Sequence, residues 1–507
     1  MASRTTPELH ISDADDYEMV EAPHAAHAAP DATPPASTTS SHLAVPDVHP
    51  TCTLTACSER SNVAAGTAAK VLAMASLVAS DVPEGIGDAR PPLDLVACVD
   101  HSGSMSGNKM KLMKETLSLL VHRAGLKERD RFGLVAFDHQ VTEEVAIGSM
   151  DSIGRSRAAE AIARLQPRGA TNLSGGLLKS IDVLCTAEGA ASGRTRAVLL
   201  FTDGIANHGI RETDALREAV QGAIAEKSTS VFTFGFGADH NEDMLRSVAQ
   251  TASGLYYYVQ TADDIPQAFA DALGGLTSVV AQNAVLSLEP APGVAVARVL
   301  GNSYQRLEVG VEQTQTQQSI AIGDLYAEEE KDFLFELALP ALTEPSTEPI
   351  PVACAKLRYF SVANKKMEEV VTLLRVARPA MAAEAEAVNP RLDEQRNRVL
   401  AAEAMETASR LADGGDIMQG RHVLELMRQR VAESISNATP LSQGLVAEIE
   451  RLEVGYEDHV AYRSMGSKMS KMCAQSNLQQ RSTHSSAVKY KAGGKSKKAM
   501  KTSWGVE

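Results

Sequence analysis

The residues best placed to do chemistry are Asp100-His101-Ser102-Gly103-Ser104, Thr171 within Gly169-Ala170-Thr171-Asn172, and Asp203 within Phe201-Thr202-Asp203-Gly204. Two carboxylates and three hydroxyls make an all-oxygen donor set. Ser102 and Ser104 stand at alternate positions of one loop and can face the same point, and Gly103 lets the chain turn tightly between them. Such a set suits a hard divalent cation, Mg2+ before Mn2+: there are few protein oxygens, and positions remain for water or an incoming ligand. Taken singly, Asp100 and Ser102 read as caps of the following helix, and Asp203 as the start of a turn. Their joint occurrence favours metal.

The elements that must position these residues lie between Pro91 and Val280, where strand-like runs alternate with helical patterns. This is the signature of an α/β fold with a largely parallel sheet. Strands are expected over Leu93–Val99, Phe132–Phe137, Val141–Ile147, Ala197–Thr202, Ser230–Phe236 and Leu255–Val259. In a doubly wound, Rossmann-like sheet ordered 3-2-1-4-5-6, strands one and four are neighbours at the topological switch point, and ligands bind beyond their carboxyl ends. Asp100 and Asp203 should therefore meet. The first helix, over 108–124, carries Met110, Met113, Leu117, Leu120 and Val121 at helical spacing, which reads as packing on the sheet.

Asp-x-Ser-x-Ser followed by a later Thr and a later Asp resembles the metal-ion-dependent adhesion site of von Willebrand factor type A domains, and the resemblance covers about Pro91 to Val280. It implies that Ser102, Ser104 and Thr171 contact the metal directly, and that Asp100 and Asp203 act through water or hydrogen bonds. It also implies that a protein partner completes the shell with an Asp or Glu carboxylate. Asn172 and Asn207 are placed on the rim that would choose among partners, and His101, at the variable position of the loop, either joins that rim or turns away from the metal into local packing. The wider layout, with Pro92-Leu93-Asp94-Leu95-Val96 leading into Asp100 and with Lys109 and Lys114 on the first helix, resembles plant RING-type ubiquitin ligases that carry this domain. Those proteins have an amino-terminal RING zinc finger, whereas this chain offers only Cys52 and Cys57 there.

Around this domain the pattern changes. Residues 1–49 are acidic and rich in Pro and Ala, a composition expected to stay disordered. Two apolar runs within 50–80 read as strands too few to fold alone, and short alternating runs over 283–377 read as an antiparallel sandwich. The inferred architecture is an α/β domain (91–280) inserted in or flanked by this β-sandwich, followed by a helical hairpin region over 390–456 that breaks at Gly414-Gly415. Residues 457–507 are expected to form a largely disordered basic tail, solvated and structurally idle in preference to serving nuclear import or RNA contact. Gly493-Gly494-Lys495-Ser496 matches half a phosphate-binding loop, but Lys489 stands where the first glycine is required.

A net charge of −15 and an aromatic content of 4% argue against nucleic acid, which needs a positive surface and stacking rings. The six scattered cysteines give neither a disulfide framework nor paired zinc spacing, and no run spans a membrane, so a cytoplasmic location is expected. No nucleophile–base arrangement stands at recognisable spacing. The expected function is therefore a non-catalytic, Mg-dependent protein-binding scaffold. The alternatives are a substrate-binding component of a ubiquitin ligase and an adaptor of an ATPase machine.

Overall fold

The computed structural model describes residues 50–81, 90–123, 126–187, 193–225, 229–261, 264–301, 305–307, 317–381, 388–483 and 486–504. The expected disordered segment over 1–49 lies outside them. Strands β1 (Cys52–Ser58) and β2 (Ala69–Ala79) come first. The α/β domain follows as β3 (Leu93–Asp100), α1 (Asn108–Arg123), β4 (Arg131–Phe137), β5 (Val141–Ser149), α2 (Ser152–Arg164), α3 (Leu173–Thr186), β6 (Thr195–Thr202), α4 (Thr213–Ile224), β7 (Ser230–Phe236), α5 (Glu242–Thr251), β8 (Tyr256–Val259) and α6 (Asp264–Leu276). Then come β9 (Val279–Pro290), β10 (Ala295–Val299), β11 (Gln305–Leu307), β12 (Gln318–Tyr326), β13 (Glu330–Leu339), β14 (Ser346–Ser361) and β15 (Lys366–Arg378). The helices α7 (Pro390–Asp413), α8 (Ile417–Ala432), α9 (Pro440–Val454), α10 (His459–Ala461), α11 (Ser467–Gln479) and α12 (Gly494–Trp504) end the chain.

The α/β sheet runs β5-β4-β3-β6-β7-β8, parallel except for β5, so β3 and β6 are central neighbours. Alternation along β3 sends Leu93, Leu95, Ala97 and Val99 to the side covered by α1, α2 and α6, and Val96 and Cys98 to the side covered by α3, α4 and α5. A sheet buried on both faces must be apolar at nearly every position, and six of the eight buried residues of β3 are, the exceptions being Asp94 and Asp100. Met110, Met113 and Leu117 of α1 belong to that core.

The sandwich is built from both sides of this domain in sequence. β2 lies between β1 and β13 in the order β1-β2-β13-β10, and the facing sheet runs β11-β12-β9-β14-β15. One apolar core joins Leu54, Val71 and Leu77 to Leu286, Leu357 and Val376 of the opposite sheet.

The expectation of a disordered tail over 457–507 is corrected over its described residues, 457–483 and 486–504, where helices form. α11 is buried along nearly all its length, and the reason is the unpaired edge of β8. Tyr256 N donates to Gln475 Oε1 at 3.0 Å and Tyr258 N to Met472 Sδ at 3.4 Å, so side chains of α11 satisfy edge groups that would otherwise lack partners. α12 packs on α6 at a seat made by glycine: a Cβ at Gly274 would stand 2.5 Å from Lys497 Cγ and 2.8 Å from its Cα.

Candidate metal centre

The parallel register of β3 and β6 carries Asp100 and Asp203 to the same edge of the sheet, each at the carboxyl end of its strand. Asp100 is fully buried. Its Oδ1 accepts from Ser102 N at 2.8 Å and its Oδ2 from Thr202 Oγ1 at 2.6 Å, so it braces the loop from beneath. Burial pushes its carboxyl up to about 6, against those hydrogen bonds, and the charge of Asp203 adds to the rise. A cation above the pair would favour both carboxylates in their ionised form.

The upper layer is a chain of oxygens. Ser102 Oγ and Ser104 Oγ share a hydrogen bond of 3.0 Å, and Ser104 Oγ donates to Asp203 Oδ1 at 2.9 Å. Gly204 lies beside both hydroxyls: a Cβ there would stand in ordinary van der Waals contact, 3.4 Å from Ser104 Oγ and 3.7 Å from Thr171 Oγ1. Thr171 is held by Asn207, whose Oδ1 accepts from Thr171 N at 2.8 Å while Asn207 N donates to Thr171 O at 3.1 Å. The structure thus brings Ser102, Ser104, Thr171 and Asp203 together with Asp100 below. Lys109 Nζ, 2.5 Å from Asp203 Oδ2, already sets a positive charge on this carboxylate. Two carboxylates with neutral hydroxyls are a donor set that fits a hard divalent cation.

The rim differs from the expectation. His101 is 3% exposed, and burial holds its pKa below the usual histidine value, so it packs inward instead of meeting a partner. Asn172 caps α3, accepting from Gly175 N at 3.0 Å, and its amide is committed there. Asn207 is exposed, and its side-chain carbonyl oxygen serves Thr171. Ile205, 63% exposed immediately after Asp203-Gly204, is a rim residue the sequence reading missed; only an exposed apolar side chain beside a polar site could have flagged it. Thr202, which braces Asp100, was missed too, because within the sequence it reads as the last residue of a β-branched and apolar strand.

Residues 94–271 match the family model of the von Willebrand factor type A domain, and with the sheet order above they place this part of the chain in that class. Domains of this class are typically protein-interaction modules, and commonly bind a divalent metal at an adhesion site. Among curated relatives, the chain is 26% identical over 385 residues to the E3 ubiquitin-protein ligase WAVH1 of Arabidopsis thaliana, covering 73% of this chain and 50% of that protein. It is 30% identical over 259 residues to an uncharacterized protein of Synechocystis, covering 50% of this chain and 59% of that one. The chain therefore spans about half the length of the curated relatives it matches. A solved von Willebrand factor type A protein from Catenulispora acidiphila superposes with a TM-score of 0.63 at 17% identity, over 80% of this chain and 90% of that chain. That likeness concerns the fold, and it extends well beyond the residues matched by the family model. Among the described residues, no helix is long and apolar enough to cross a membrane.

Proposed function

We propose that the protein is a non-catalytic, Mg-dependent binding module that captures an Asp or Glu carboxylate of a partner protein. The observation that carries this reading is the linked row of Ser102, Ser104 and Asp203 oxygens at the carboxyl ends of β3 and β6, with Ser104 exposed to an approaching ligand. Ser102, Ser104 and Thr171 would hold the ion, while Asp100 and Asp203 orient the hydroxyls and balance its charge. Neutral hydroxyl donors leave a divalent ion electrophilic enough to prefer an anionic oxygen, and Ile205 and Asn207 give the rim an apolar and a polar contact. The test is calorimetric titration of Mg2+ into the whole protein, followed by affinity capture of partners with Mg2+ present or chelated. One binding event, absent in Asp203→Ala and weakened in Ser102→Ala, with partners released by chelator, would support the reading. Identical titrations for wild type and Asp203→Ala would overturn it.

A second reading is favoured by the similarity to the ubiquitin ligase WAVH1, which extends over 73% of the chain and so beyond the α/β domain. In it the same carboxylate capture delivers substrates for ubiquitination. Copurification of a ubiquitin-conjugating enzyme with the protein, together with ubiquitination of the captured partners that is lost on chelation of Mg2+, would distinguish substrate delivery from simple scaffolding.

A further inference from the structure

Where the carboxyl-terminal segment crosses the end of β2 and the turn from β12 to β13, a cavity of about 770 Å3 opens. In a chain of net charge −15, this cavity is lined by five lysines and three carboxylates. Two lysines are neutralised within the protein: Lys491 Nζ lies 2.8 Å from Glu330, and Lys501 Nζ lies 3.4 Å from Asp271. The third carboxylate, Glu328, lies against the start of α12, where a Cβ at Gly494 would meet its Oε2 at 3.3 Å. An anion of the protein itself thus already serves that helix end.

Three lysines remain. Lys489 donates to a neutral carbonyl, Ser486 O, at 2.7 Å. Lys497 and Lys498 form no ion pair among the described residues, and with Lys501 they share one face of α12 by their spacing. Burial also holds Lys497 below the usual lysine value, as expected of an ammonium that lacks a counter-ion at contact. The half phosphate-loop motif contributes little, since Lys495 is bound to Asp81. The lysines of the cavity are what the site offers.

We propose that this cavity binds a small molecule carrying more than one phosphate group, held by Lys489, Lys497 and Lys498. Lysine ammoniums act as point charges toward phosphate oxygens, and several converging on one concavity select multiply charged over singly charged anions. The volume falls within the range of small-molecule sites, about 300–1,000 Å3. An extended nucleic acid is disfavoured, because the chain is acidic outside this concavity and long polyanions need a continuous positive track.

Calorimetry on the whole protein, with inositol hexakisphosphate, ATP and inorganic tripolyphosphate as separate probes and inorganic phosphate as the singly phosphorylated comparison, tests this. At least one of the three should bind with a dissociation constant below about 100 μM, and inorganic phosphate more weakly by about tenfold or more. Which probe binds tells whether the organic scaffold matters. Joint Lys497→Gln and Lys498→Gln substitution should weaken that binding by about tenfold or more, and Lys498→Gln alone, at an exposed position, should weaken it while leaving the melting temperature unchanged. Lys111→Gln, exposed on α1 and paired among the described residues with Glu115, should bind as wild type. Failure of all three probes to bind at about 1 mM, or equal affinity in the Lys498→Gln and Lys111→Gln proteins, would overturn the proposal.

Discussion

Arg481 and Glu329 form a buried ion pair, Nε to Oε1 at 2.7 Å and Nη2 to Oε2 at 3.2 Å, at the meeting point of all three parts of the protein. The same guanidinium donates to Asp324 O at 2.7 Å in the sandwich and to Ser253 O at 3.4 Å in the α/β domain, and stands 4.0 Å over the Tyr326 ring. Arg481→Met should therefore be strongly destabilising, by about 3–5 kcal/mol, because it strands a buried carboxylate. Lys331 Nζ, 3.0 Å from Glu329, should keep the loss at the lower end. Urea unfolding of the two proteins measures it; a loss under about 1 kcal/mol would mean the pair is incidental.

The same pair predicts acid sensitivity. Burial alone would raise Glu329, but Arg481 and Lys331 overcome it and hold the carboxyl at about 2, below its ordinary 4.5. An acid depressed in the folded state contributes stability that is complete above about 4.5 and is lost as pH falls toward about 2. Asp324, which burial raises to about 6 from 3.8, acts in the opposite sense, costing stability as pH rises between those values. Urea midpoints should therefore fall below about pH 4.5, and Glu329→Gln should flatten that decline. A Glu329→Gln profile parallel to wild type in this range would contradict the assignment.

The seat of α12 gives a proteolytic prediction. Gly274→Leu places atoms where Lys497 Cγ and Cα lie within 3 Å of the added Cβ, and the backbone of α12 must move. Brief trypsin treatment should then cut among Lys489–Lys501 several-fold faster than in wild type, with the α/β domain still intact. Unchanged cleavage would show that α12 does not depend on this contact.

A chain that begins at Pro91 loses β1 and β2, and exposes β13 along its whole pairing with β2, from Glu330 opposite Val78 to Leu339 opposite Ala69. An unpaired apolar edge of that length is a template for association. Light scattering should show aggregates at micromolar concentration, and a chain of residues 91–280, which leaves the β8 edge without α11, should associate as well; a monomeric 91–280 chain would show that α11 is not needed there. Adding α11 back as a peptide should improve its solubility.

Lys109, 2.5 Å from Asp203 Oδ2, would compete with a metal for that carboxylate. Lys109→Met should tighten Mg2+ binding by about tenfold, since one positive charge leaves the vicinity of the ion. Lys109→Arg, which keeps the charge, should leave the affinity close to that of wild type. Calorimetry decides; weaker binding in Lys109→Met would mean that the lysine orients Asp203 for the ion instead.

Local pattern and spacing determined the α/β domain and which oxygens gather at its strand ends. The alternation of β3, the helical stripe of Met110, Met113 and Leu117, and the hydroxyls flanking Gly103 are short-range signals, and the rule that ligands sit beyond adjacent strand ends joins Asp100 to Asp203. The sequence could also suggest that Cys52–Ser80 belongs with the later strands, since two strands cannot stand alone. It could not show that His101 turns inward or that Asn172 is spent capping α3, because which way a loop side chain faces depends on its neighbours in space. Nor could it read α11 and α12: Lys471, Gln475, Asn477 and Arg481 look like solvated residues, yet each is buried beside a partner distant in sequence. Whether a polar side chain lies in water or in the core is decided by whether the fold supplies its hydrogen-bond and charge partners, and those partners exist only once the sheet edge of β8 and the turn at Glu329 have been assembled.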